Sequence, residues 1–163
     1  NIYNLIRGAN PQPGAWTKYN GEIVQIFDSW VGNLSPEDYK ESVLPYTRLI
    51  FDELKNEKVP TIHFATGTST LLEMMAEAGG DVIGVDWRIP IEEAARRLPH
   101  KAIMGNLDPA LLFSTIPVLE KKVDDILDRM EGRPGFIFNL GHGILPGTPP
   151  ENVRAVLKRV HAR

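Results

Sequence analysis

His142 stands between two glycines, directly after Asn139-Leu140 and an apolar run, Phe136-Ile137-Phe138. An imidazole so placed can donate a hydrogen bond or exchange a proton, and Gly141 and Gly143 leave the backbone beside it free of side chains. Ser29 likewise follows an apolar run, at the end of Val24-Gln25-Ile26-Phe27-Asp28. A hydroxyl and an imidazole can each donate a hydrogen bond to a carboxylate. Asp86-Trp87-Arg88 forms a further cluster. Arg88 could meet a carboxylate with two parallel donors, or could pair with Asp86 and stack on Trp87. Asn106 and Asp108 read as turn and helix-cap residues. His63 lies inside an apolar strand, either as a core histidine or as an inward-facing site residue. A packing account makes Ser29 a turn or helix-entry residue, and a lone histidine is more often structural than catalytic. His100 and His161 carry no assigned role.

These residues need elements that bring them together. Ile23 to Phe27 reads as a strand, and Ser35-Pro36-Glu37-Asp38 as a helix start with an N-cap, an early proline and two early acids. That helix should run to about Asn56, with Pro45 kinking it or breaking it in two. Residues 60–65 read as the second strand, and a helix over 69–78 ends at Gly79-Gly80. A third strand at 81–85 precedes a helix at 91–98, and a fourth at 101–104 precedes a helix after Pro117. The fifth strand is 136–138, and the last helix runs from Pro149 to about His161, with Thr148 as N-cap and Glu151 closing a capping box. Five strand-then-helix units with short connections imply parallel strands and right-handed crossovers. The strands end in Asp28-Ser29, Thr66-Gly67-Thr68, Asp86-Trp87-Arg88, Asn106-Leu107-Asp108 and His142, which should gather on one rim. Ligands of parallel α/β proteins bind at that edge.

Composition narrows the function classes. The 163 residues carry 18 Lys and Arg against 21 Asp and Glu, a net charge of −3, which argues against a nucleic-acid surface. No apolar run approaches the roughly 18 residues needed to span a bilayer, so no membrane partner is expected. Zero cysteines exclude disulfides and thiolate metal ligands. A cytoplasmic location is compatible with that count. At 42% hydrophobic the chain can bury one substantial core.

Several segments carry a resemblance. Phe138 to Val153, FNLGHGILPGTPPENV, resembles the C-terminal motif of the uroporphyrinogen decarboxylase family. Val24 to Phe51, Ile62 to Ala94 and Ile103 to Phe113 follow in that family's order and spacing, so the similarity covers about residues 22–163. Residues 1–21 resemble instead a segment of folate-dependent formyltransferases, with an IRGANPQPGAWT stretch, and are expected to form a short helix followed by an irregular, proline-bearing stretch.

The resemblance implies a partial (β/α) TIM barrel of five parallel units, since a full barrel takes about 250 residues. It implies cofactor-free decarboxylation of the acetate side chains of uroporphyrinogen, a tetrapyrrole, to give coproporphyrinogen in heme biosynthesis, with no metal and with a homodimer as the working assembly. By motif, Ser29 and His142 match substrate-binding residues of the family. The family's central aspartate, its substrate-binding arginines and a tyrosine belong to its N-terminal half, and no aspartate here lies in the matching motif. Two other readings stand beside this one. One is a non-catalytic scaffold or chimeric fragment, and the other is a related cobamide-dependent methyltransferase, against which the lack of cysteine weighs because such enzymes bind zinc through histidine and cysteine.

Overall fold

A computed structural model describes residues 24–57 and 59–163. The lead segment 1–21 and the expected strand start at Ile23 lie outside the described residues. Among the described residues, five parallel strands stand side by side in chain order: β1 (Val24–Phe27), β2 (Thr61–Phe64), β3 (Val82–Gly84), β4 (Ala102–Leu107) and β5 (Phe136–Leu140). Helices alternate with them: α1 (Pro36–Ser42) and α2 (Leu44–Lys55), then α3 (Leu72–Ala78), α4 (Ile91–Arg97), α5 (Ile116–Arg129) and α6 (Pro150–His161). The strand order never reverses, which distinguishes a barrel segment from a doubly wound sheet with its switch point. The chain folds as five βα units of a β/α barrel, as expected.

Strand alternation divides the sheet into two faces. Ile26, His63, Ile83, Ile103 and Phe136 share one register row. In that row Ile83, Ile103 and Phe136 pack with Ile91, Ala94, Leu119, Val123 and Ile126 of α4 and α5, so this face looks out toward the helices. The row above it, Phe27, Phe64, Gly84, Met104 and Ile137, looks inward. Ile62, Val82 and Met104 form a small apolar cluster on the inner face. Ile137 is exposed there, so the outer layer holds most of the core.

Local sequence explains most element limits. Ser35 accepts a hydrogen bond from the Asp38 backbone N–H, and Pro36 occupies the first turn of α1. Val43 separates α1 from α2, and Pro45 sits in the first turn of α2, where its lack of an N–H costs nothing. Gly79 and Gly80 end α3 with positive φ of 148° and 95°.

Three details differ from expectation. Residues 69–71 form a turn before α3, with the Leu71 N–H donating to the Thr68 carbonyl, so that helix starts three residues later. β4 continues through Asn106 and Leu107 because its pairing with β5 persists to Leu140. The capping box at α6 does not form: the Thr148 hydroxyl donates to the Leu145 carbonyl at 2.6 Å, Pro149 takes the N-cap position, and no side chain caps the helix.

No helix among the described residues is long and apolar enough to cross a membrane. Ile103, fully buried in the core of the outer face, should be costly to truncate. Ile103→Ala is expected to lower unfolding free energy by about 2–5 kcal/mol in urea denaturation. Ile116→Ala, at a side chain 41% exposed, should cost much less.

Candidate functional site

Ser29 and His142 line one recess of about 180 Å³, together with Phe27, Trp30, Phe64 and Thr66. β1 and β5 stand at opposite ends of the sheet, and four steps of about 4.8 Å would set them roughly 19 Å apart if it were flat. Curvature and the reach of the loop after β5 close that gap. The His142 ring lies 6.4 Å from the Phe64 ring at the end of β2. Phe27 meets Phe64 edge to face at 5.5 Å, so the floor of the recess is aromatic while Ser29 and His142 supply hydrogen-bonding groups at its wall. Both polar residues are exposed to solvent. Trp30 is 79% exposed and holds a φ of 72°, the one positive-φ residue other than glycine among those described. A bulky side chain in that region is strained, and such strain collects at sites.

Behind Ser29 lies a buried polar network. Asp28 falls between Phe27 and Ser29, so alternation turns its carboxylate away from the recess and toward the helices. There it accepts hydrogen bonds from the Tyr39 hydroxyl at 3.3 Å, the Thr47 hydroxyl at 3.2 Å and His63 Nε2 at 2.9 Å. His63, Tyr39 and Thr47 are buried. Burial, and next the adjacent Asp28 charge, push the Tyr39 phenol far above its ordinary range and keep it a donor. His63 is therefore a core histidine, placed on the outer face, and not an inward-facing site residue.

The β3 and β4 ends are likewise structural. Asp86 is buried and accepts from the Gly67 N–H at 2.7 Å and the Arg88 N–H at 3.0 Å, which ties the loops after β2 and β3 together. Arg88 Nη1 lies 2.5 Å from the same carboxylate, and the guanidinium covers the Trp87 ring at 4.4 Å. Of the two readings of Arg88, pairing with Asp86 and stacking on Trp87 is the one observed. Asn106 is not a turn residue: its amide donates from within β4 to the Asp86 and Ile89 carbonyls at 3.1 and 2.6 Å. Asp108 does cap, accepting from the Ala110 N–H at 2.9 Å at the start of the 3-10 turn Pro109–Phe113. This scaffold sets the His142 loop. The Gly141 N–H donates to the Leu107 carbonyl at 2.7 Å, and a Cβ on Gly141 would meet the Trp87 nitrogen at 2.8 Å. Among the described residues no group of three His, Cys, Asp or Glu side chains could hold a metal ion.

Comparison with known proteins bears on these positions. The family profile described as uroporphyrinogen decarboxylase (URO-D) matches residues 14–163. The chain belongs to the uroporphyrinogen decarboxylase family. The uroporphyrinogen decarboxylase of Thermobifida fusca is 52% identical over 141 residues, which cover 86% of this chain and 39% of that protein. That of Carboxydothermus hydrogenoformans is 50% identical over 141 residues, covering 86% of this chain and 40% of that protein. That of Geotalea uraniireducens is 47% identical over 147 residues, covering 90% and 43%. The chain thus spans about two fifths of the length of these relatives. A solved methyltransferase from Methanosarcina mazei superimposes with a TM-score of 0.74 over 86% of this chain and 42% of its own, at 19% identity, a likeness of fold.

The residues that line this recess are only partly visible in the sequence. Phe27, Trp30 and Phe64 were not singled out, nor was the set of Asp28, Tyr39, Thr47 and His63. Strand alternation was the available signal, since it puts Phe27 and Ser29 on one face and Asp28 on the other. The tight seat of Gly141 yields a test. Gly141→Ala should displace the His142 loop or the Trp87 backbone and cost about 1–3 kcal/mol in denaturant unfolding followed by tryptophan fluorescence. Unchanged stability would show that the two loops do not press on each other.

Proposed function

We propose that the chain is the C-terminal portion of a uroporphyrinogen decarboxylase, a carboxy-lyase, in which Ser29 and His142 hold carboxylate groups of the tetrapyrrole. The observation that carries this reading is the shared recess: two residues matched by motif, from the first and last strands, face one space. A recess of about 180 Å³ suits one carboxymethyl arm and leaves a four-ring substrate to lie over the open side. The Ser29 hydroxyl and an imidazole N–H of His142 donate to the carboxylate oxygens, while Phe27, Phe64 and Trp30 offer apolar surface to a pyrrole.

The reaction needs no cofactor in this reading. A proton adds to the pyrrole, the bond between the side-chain methylene and its carboxylate breaks, carbon dioxide leaves, and the electron pair passes into the ring. A second proton converts the resulting exocyclic methylene to methyl as the ring gives up the first. The cationic ring intermediate calls for a negative partner. The Asp28 carboxylate turns toward the helices and that of Asp86 is engaged by Arg88 and two N–H groups. The family resemblance implies that this partner is an aspartate of the family's N-terminal half, outside residues 1–163. Homodimeric assembly and a cytoplasmic location belong to the same proposal and rest on the family resemblance.

Anaerobic turnover of uroporphyrinogen tests it. Residues 1–163 alone should decarboxylate poorly. In a version with the family's N-terminal half restored, Ser29→Ala and His142→Ala should each raise KM by about tenfold, the loss of one hydrogen bond to a charged group. Efficient turnover by 1–163 alone would overturn the assignment of the acid, and unaltered KM in both variants would overturn the assignment of the site.

A further inference from the structure

We propose that His63 is a positioning residue for Ser29, acting through Asp28: the hydrogen-bonded pair fixes the turn leaving β1 so that the Ser29 hydroxyl faces a substrate carboxylate. The inference rests on the reading of Ser29 just given and deepens it.

The geometry makes Asp28 a clamp on one side of the strand for two recess residues on the other. Phe27 and Ser29 flank it in sequence and both line the recess. Its backbone N–H donates to the Phe64 carbonyl at 3.0 Å, one residue past the end of β1, which carries the sheet pairing up to the peptide that enters Ser29. Its carboxylate is held from three elements at once: Tyr39 in α1, Thr47 in α2 and His63 in β2. A residue so held cannot swing, and neither can the one bonded to it.

His63 is the member with no freedom. Its side chain is 0% exposed, and Gly80 approaches so closely that a Cβ there would lie 2.9 Å from the His63 Cβ. The Phe51 ring covers it at 4.9 Å. Nδ1 lies 3.1 and 3.3 Å from the Met75 and Gly79 carbonyls, which can only accept, so Nδ1 carries a hydrogen. Nε2 lies 2.9 Å from Asp28 Oδ2. The carbonyls that receive Nδ1 close the C-terminal end of α3, where the helix favours positive charge. The chain of contacts thus runs from α3 through His63 and Asp28 to Ser29, and the ring itself never enters the recess.

A double-substitution cycle in the version with the family's N-terminal half restored separates positioning from mere support of the fold. His63→Phe keeps a ring and removes both donors, and Asp28→Asn keeps the shape and removes the charge. Each is expected to raise KM for uroporphyrinogen about tenfold with kcat altered less than about twofold. His63→Gln, which retains a donor, should recover part of the loss. Thr47→Val removes one hydroxyl donor at constant volume and should raise KM about twofold to threefold, which keeps the test open if the ring variant does not fold. In a Ser29→Ala background all of these should add less than about twofold. If Ser29→Ala raises KM and the other substitutions raise it further by their full factor, the positioning proposal is overturned while the substrate reading stands. If Ser29→Ala alone leaves KM unchanged, both fall.

Discussion

A carboxylate between a sheet and its helices must be surrounded by donors, and Asp28 imposes that requirement on the first third of the fold. The requirement is met from β2, α1 and α2 by His63, Tyr39 and Thr47. The register of Ile26 against His63 brings the imidazole beside the end of β1. Removing one member leaves the others buried and unpaired, which is why such clusters specify a single arrangement more than they add stability. Asp86 repeats the device at the next junction, drawing the loops after β2 and β3 together through the Gly67 and Arg88 N–H groups. Between them Asp28, partly buried, and Asp86, buried, shape the rim on which Ser29 sits, and the Gly141 contact with Trp87 extends the shaping to His142.

The fold was legible because each unit announces itself at both ends. Ser35-Pro36, Pro45 and Gly79-Gly80 mark limits by backbone chemistry that tertiary contacts do not reverse. Where limits were misread, the deciding contact was distant in sequence. Asn106 reads as a turn residue in GNLDP, yet pairing with Asn139 thirty-three positions on keeps it in β4 and its amide satisfies two loop carbonyls. Thr148 has the spacing of a capping box with Glu151, but the loop before it offers the Leu145 carbonyl to the hydroxyl first. Local competition of this kind leaves no periodic trace.

The site was legible in a different way. Ser29 and His142 were reached through motif resemblance, and their common recess depends on curvature, a property of the whole sheet that no pair of residues encodes. His63 resisted because a histidine in an apolar strand looks the same whether it faces in or out. Its neighbours in register resolve the question: Ile26 and Ile83 share its row, and that row faces the helices. An aspartate one residue before a candidate serine, on a strand adjacent to a buried histidine, is therefore a pattern to test for pairing across strands before either residue is given a chemical role.

The two faces of the sheet also divide stability from function. The outer face is packed by α3 to α6, and links such as Arg97 to Glu73 and Arg159 to Asp124 join successive helices at its surface, each worth little in water. The inner face carries Ile62, Val82 and Met104 as a small cluster and leaves Ile137 exposed. The recess opens at the end of that less covered face. A hydrogen bond from Ser29 or His142 to a carboxylate is weak while water competes for the same oxygens and strengthens as the surroundings become dry. Under the proposed function, a macrocycle lying across Phe27, Phe64 and Trp30 would supply part of that cover by excluding water from the arm it inserts. In that proposal the aromatic floor and the polar wall act together: apolar contact with the ring would create the environment in which the two donors hold the acid.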